Sequence, residues 1–149
     1  MIENAVLLDA SVVVYALGEA NPRREPCRAL LQAAASGEFR AYASVEMVQE
    51  VVHHRLRKLG DRRIAGADGR SVSAICTLLF FDREVLDLSL ELIERFPTIR
   101  GRDAVHAATA LAYGIERIAS TDPAFDGIPG LTRLDPMAHS HEPPAPSTI

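Results

Sequence analysis

The chain has 149 residues, enough for one domain that buries its own core, and 48% of them are hydrophobic, the share of an ordinary globular protein. A formal net charge of −4 excludes nucleic-acid binding driven by overall charge. It leaves room for a local basic face, or for a site where metal ions supply the positive charge. No stretch approaches the ~20 apolar residues of a membrane span, and no basic region precedes the first apolar run as in a secretory signal. Cys27 and Cys76 lack metal-ligand spacing. A cytoplasmic protein with reduced, buried thiols is expected, a disulfide being the alternative.

Residues 5–8, AVLL, read as a short buried strand with Asp9 at its carboxyl end, and a short helix is expected from Ser11. ANPRRE is a loop. PCRALLQAAAS has helical spacing, with Cys27, Leu30, Leu31 and Ala34 apolar, and stops at Gly37. FRAYAS alternates and reads as a second strand. Ser44 caps the helix SVEMVQEVVHHRLRKLG, whose buried stripe is expected to be Val45, Val48, Val51, Val52 and Leu56. Basic residues crowd its last turn, and Gly60 ends it. A polar stretch with Gly66 and Gly69 leads into an apolar helix, SVSAICTLLFF. EVLDL is strand-like, and SLELIERF is a helix stopped by Pro97.

RDAVHAATALAYG reads as an alanine-rich helix, ERIAS as a strand and LTRLD as a last short strand. Between the last two lies STDPAFDG. Asp122 suits a helix N-cap, Pro123 the first helical position and Gly127 a stop. Residues 137–149 form a Pro-rich tail that is expected to be disordered, so the domain spans 1–136. Strands alternating with helices predict an α/β fold with a mainly parallel central sheet flanked by helices. In such sheets ligands gather at the carboxyl ends of the strands.

Most of the 20 acidic residues, Glu25, Glu38, Glu84, Glu91 and Glu94 among them, read as solvated helix faces. Four stand apart. Asp9 and Asp122 follow strands, Asp103 opens a helix, and Glu50 lies beside an apolar helical stripe. Each has a plain explanation: Asp9 as an N-cap, Glu50 as a partly exposed acid, Asp103 as a first-turn acid favoured by the helix dipole. If the strands are parallel neighbours, however, the acids converge. Each carboxylate pair at ~4 Å then costs about 4 kcal/mol at an effective dielectric of ~20, so the cluster must take up protons or bind cations. Hard oxygen ligands with open positions suit Mg2+ or Mn2+ and phosphoryl chemistry.

The same residues allow a rival reading. Glu50-Val-Val-His53 and Asp103-Ala-Val-His106 each pair an acid and a histidine at i, i+3, as di-iron helical bundles do. The strand-like segments argue against a bundle, and His106 among alanines reads as a satisfied core residue. No Gly-rich nucleotide loop follows a strand, and no G-x-S-x-G elbow exists. His139 and His141 fall in the tail and carry no assigned role.

Over about residues 5–136 the chain resembles PIN-domain ribonucleases, and within them the VapC toxins of bacterial toxin–antitoxin pairs. The resemblance rests on LLDASVVVYALG, SVEMVQEVV, GRDAVHAATAL and IASTDPAFDGIPGLTRLDP, with the four acids in that order. It implies a PIN-like parallel sheet and a Mg2+ or Mn2+ site built from Asp9, Glu50, Asp103 and Asp122, with Asp126 as a candidate outer member. Ser11 and Thr121 would orient the ligands or contact phosphate. The resemblance also implies a homodimer and a VapB-like antitoxin whose tail covers the cleft. The chemistry expected is hydrolysis of an RNA phosphodiester by a metal-activated water. Asp9 and Asp103 are the first choices for direct ligands. Arg102, beside Asp103, reads as a phosphate contact or a plain surface residue. In HHRLRKLGDRR, Arg55, Arg57, Lys58, Arg62 and Arg63 read either as a solvated helix end or as contacts to the RNA backbone. Single-stranded or loop RNA is the expected target, and the phenylalanines are expected mostly in the core. A non-toxic RNA-processing nuclease of the same fold, and a PIN-like binding module without catalysis, are the alternatives.

Overall fold

The structure is a computed structural model, described for residues 4–139. Its order is β1 (Ala5–Leu8), α1 (Ala10–Leu17), α2 (Arg24–Ala35), β2 (Arg40–Ser44), α3 (Val45–Leu59), α4 (Arg62–Ile75), β3 (Thr77–Leu79), α5 (Arg83–Arg95), α6 (Gly101–Ala112), β4 (Arg117–Ala119), β5 (Thr132–Leu134) and α7 (Pro136–His139). The strands form one sheet in the order β3-β2-β1-β4-β5, with every neighbouring pair parallel. The chain runs outward from β1 to β3, then crosses back to β4 and β5. The strand order therefore reverses between β1 and β4, where Leu7 pairs with Ile118 and Leu8 with Ala119. A crevice at the carboxyl ends of the strands belongs at such a reversal.

β1 is buried on both faces, as its unbroken AVLL requires. Ala5 and Leu7 join a core with Ile118, Phe125 and the inner residues of α5 and α6. Val6 and Leu8 face the other way, into a core with α1, α2, α3 and Ala41 and Ala43 of β2. The alanines of α6 are small enough to bring that helix close to the sheet: Ala104, Ala107, Ala108 and Ala110 are all fully buried. This close seat places the first turn of α6 beside the ends of β1 and β4. Cys27 is buried, Cys76 half-buried, and both are free thiols.

Several sequence expectations differ from the structure. The polar stretch after Gly60 is helical: Asp61 caps α4 by accepting from the N–H groups of Arg63 and Ile64. The expected apolar helix 71–81 is instead the end of α4 followed by β3. The strand-like EVLDL lies inside α5, which Asp82 caps through the Val85 N–H. In α3 the fully buried residues are Met47 and Val51, whereas Val45 is 37% exposed and Val48 and Val52 are half-buried. Val48 and Val52 pack instead against Gly69 of α4. Of the phenylalanines only Phe125 is fully buried, and Phe80 and Phe81 are exposed. Helix α7 includes Met137–His139, and the rest of the Pro-rich tail lies outside the described residues. A five-stranded sheet also rules out the di-iron bundle, and His53 is an exposed residue of α3.

Candidate active site

Each of the four acids is placed by a different element. Asp9 is the residue between β1 and α1 and is 5% exposed. Its backbone occupies the N-cap position of α1, yet its side chain caps nothing. Oδ2 instead accepts two short hydrogen bonds, from Ser11 Oγ and from Ser120 Oγ, each 2.7 Å. A carboxylate that takes hydroxyl donors on one oxygen keeps the other for a different partner.

Ser120 ties two acids together. Besides donating to Asp9, its Oγ accepts from the Asp122 N–H at 3.0 Å. Ser11 Oγ accepts from the Thr121 N–H at 3.2 Å, so Thr121 enters through its backbone. Asp122 caps the single 3-10 turn Pro123–Phe125 through Oδ1, which accepts from the Ala124 N–H. The turn reading of STDPAFDG thus holds, and the same geometry aims Asp122 at a cleft.

That cleft has a volume of about 760 Å³ and is lined by Glu50 of α3, Arg100, Arg102 and Asp103 around the start of α6, and Asp122. Asp9 lies behind it, within Coulombic reach of Asp103. Burial and the charges of Asp9 and Asp122 push the Asp103 carboxyl up from 3.8 to about 6, against the opposing effects of His106 and a bond from the Arg100 backbone. Glu50 moves the other way. Burial would raise it, but a hydrogen bond and charge from His106, with Arg102 adding to both, hold it below its ordinary range. Arg102 Nη1 lies 3.7 Å from Glu50 Oε1, and its side chain is 72% exposed.

His106 was expected in the core and is there, 1% exposed. It is also part of the site. Nε2 is 3.0 Å from Glu50 Oε2 and 3.9 Å from Asp9 Oδ1, and Nδ1 is 3.0 Å from Ser44 Oγ. Burial disfavours its protonated form, but the bond to Glu50 and the charges of Asp9, Glu50 and Asp103 outweigh burial and raise its pKa. Sequence reasoning missed this role and that of Ser120. The signal for Ser120 was its place between a strand and Asp122; for His106 it was the i, i+3 spacing from Asp103, which puts both on one face of α6.

Two expected members lie elsewhere. Both oxygens of Asp126 are taken by Arg133, at 2.8 and 3.2 Å, and Arg133 Nη1 also donates to the Ser120 carbonyl. Asp126 therefore steadies the β4 turn from outside. Its pKa is lowered, first by the hydrogen bond from Arg133. Arg55 is paired with Asp68 at 2.8 Å and donates to the Leu17 carbonyl, which joins α3 to α4 and α1. Arg57, Lys58, Arg62 and Arg63 are exposed.

The donor set suits a hard dication. Three aspartates and a glutamate face or back one cleft, and the Asp103 carboxyl is raised there by burial first and by the charges of Asp9 and Asp122 second. Among the described residues no group of three or more His, Cys, Asp or Glu is drawn together as a ready-made metal cage. Mg2+ in any case keeps several waters and takes only one or two carboxylates directly, so an open arrangement fits it better than a cage would.

This architecture, a parallel sheet whose reversal gathers acids from strand ends and helices, is that of a PIN domain. The PIN domain family model matches residues 6–131, and the chain belongs to that family. It is 36% identical to Ribonuclease VapC7 of Mycobacterium tuberculosis over 89% of this chain and 92% of that protein, which places it among the VapC ribonucleases. The fold is shared with VapBC2 from Rickettsia felis bound to a DNA fragment from its promoter (TM-score 0.69, 16% identity, covering 87% of this chain and 97% of that one). It is shared too with VapC20 of M. tuberculosis, a sarcin-ricin loop cleaving toxin (TM-score 0.64, 19% identity, 82% and 90% coverage). No helix among the described residues is long and apolar enough to cross a membrane.

Proposed function

We propose that this chain is a Mg2+- or Mn2+-dependent endoribonuclease that acts in the cytoplasm as the toxin of a type II toxin–antitoxin pair. The observation that carries the reading is that Glu50, Asp103 and Asp122, from sequence positions far apart, line one cleft at the sheet reversal, with Asp9 behind it in Coulombic reach of Asp103. Asp9 and Asp103 would hold the ion, with Glu50 and Asp122 as further ligands or partners of its waters. When bound, a hard dication supplies Lewis-acid stabilisation of the phosphate and an acidified water. The protein's own part is positioning. Ser11 and Ser120 fix the Asp9 carboxylate, Ser120 also fixes Asp122, and Arg100 and Arg102 stand at the cleft where a phosphate would enter.

The names of its relatives support an RNA substrate and a VapB-like antitoxin as partners. A homodimer is supported by exposed apolar residues: Phe80 and Phe81 after β3, and Leu86, Leu90 and Ile93 at helical spacing on α5. The test is cleavage of total cellular RNA with Mg2+ and with a chelator, for the parent chain and for Asp9→Asn and Asp103→Asn. Cleavage lost without metal and in both variants supports the reading; a folded Asp9→Asn protein cutting at the parent rate refutes it. Expression in a bacterial host with and without the antitoxin then separates toxin from RNA-processing enzyme. Growth arrest confined to cells without antitoxin marks the toxin.

A further inference from the structure

We infer that His106 is a positioning residue for this reaction: clamped by Ser44, it fixes the Glu50 carboxylate at the cleft. The inference rests on the proposed carboxylate site and deepens it. Glu50 projects from α3 and has a flexible side chain, so one oxygen must be tied for the other to keep a constant place. His106 Nε2 ties Oε2 at 3.0 Å, which leaves Oε1 on the side where Arg102 stands 3.7 Å away.

The hydrogen-bond directions follow from the groups. An ionised carboxylate only accepts, so Nε2 carries a hydrogen and donates, whichever charge state the ring is in. Ser44 Oγ accepts from the Met47 N–H at 3.0 Å, which is the N-cap of α3, and meets His106 Nδ1 at 3.0 Å. A hydroxyl serves either ring state, donating to a bare Nδ1 or accepting from Nδ1–H. The ring is thus held at both nitrogens and cannot turn without breaking a buried bond to Ser44 and a partly buried one to Glu50. The same Ser44 sets where α3 begins, six residues before Glu50, so one side chain fixes both the helix and the ring. A hydrophobic residue would fill the space of His106 and perform neither task.

Two substitutions in the full chain separate the roles. In His106→Gln the amide nitrogen stands near the place of Nε2; in His106→Asn it stands near that of Nδ1. The Gln variant is expected to keep Mg2+ affinity by calorimetry and kcat close to the parent. The Asn variant should lose about 10–100-fold in both, with KM little changed. Both should lose similar thermal stability, which a purely structural role would not split from catalysis. Equal metal affinity and kcat in the two variants would overturn the inference. The Tm shifts of His106→Asn and Glu50→Ala, alone and combined, give a second measure, since alanine leaves no acceptor for Nε2. Non-additive shifts support the link and additive shifts refute it. Should the parent show no metal-dependent cleavage, the proposed function falls, and this cycle still decides the His106–Glu50 link.

Discussion

Asp103→Asn should stabilise the metal-free protein, and only above a definite pH. Burial and the charges of Asp9 and Asp122 raise the Asp103 pKa from 3.8 to about 6. A carboxyl raised in the folded state costs nothing below its ordinary pKa, where it is protonated both folded and unfolded. The penalty grows as pH rises from 3.8 to about 6 and is complete above that. At ~1.4 kcal/mol per tenfold change in proton affinity the ceiling is near 3 kcal/mol, and screening of a half-buried group brings it to about 1–2 kcal/mol. Asparagine removes the charge and keeps an oxygen for the Arg100 backbone bond. Thermal unfolding in chelator, followed by circular dichroism, should therefore show Tm raised by about 3–6 °C near pH 7.5 and unchanged near pH 4. Added Mg2+ should raise the parent's Tm by relieving the same repulsion, and the variant's less. A variant less stable than the parent near pH 7.5, or equally stabilised near pH 4, would refute the argument that burial and the neighbouring acids together disfavour the Asp103 charge.

Three further outcomes rest on particular side chains. Gly69→Ala places a Cβ 2.6 Å from Val52 Cγ2, so urea titration should show a loss of about 1 kcal/mol, overpacking outweighing helix propensity. Made in a Val52→Ala background, the same change should stabilise by about 1 kcal/mol; no change of sign would show that the helices do not meet there. Asp126→Ala removes an exposed carboxylate from the largely buried Arg133, which keeps Asp135 at 3.5 Å, and should cost about 1 kcal/mol while RNA cleavage stays near the parent rate. A drop of about tenfold or more in cleavage would return Asp126 to the metal site. Arg57→Ala with Lys58→Ala should raise KM for RNA and lower the salt slope by ~0.7 for each phosphate these cations neutralise. An unchanged KM and slope would make this segment a solvated helix end.

Much of the fold was legible because its signals are local. Ser44 and Gly60 bracket α3 as capping chemistry requires, with Gly60 in the left-handed region at φ 66°. AVLL, RAYAS and the segment after Gly114 gave three strands, and the acids that follow two of them marked the carboxyl edge. The middle of the chain misled for an equally physical reason. Gly66 and Gly69 fall in a stretch that reads as polar and outside the next helix, yet Gly69 is where α3 and α4 approach too closely for a Cβ. EVLDL lacks a helical stripe when read alone. Its helix is announced by the cap at Asp82, three residues before the apolar position it serves.

By itself the sequence determined the fold class and singled out four acids in order, three by their place at a strand end or helix start and Glu50 by its place beside an apolar helical stripe. Tertiary structure decided what those residues do to one another. His106 meets Ser44 and Glu50 across 62 and 56 residues of chain, a pairing no local period encodes. Asp126 follows Asp122 by one turn and still points to Arg133 instead of the cleft. Local chemistry sets where a carboxylate starts. Whether it ends against a serine, an arginine or another carboxylate depends on which elements the sheet brings alongside.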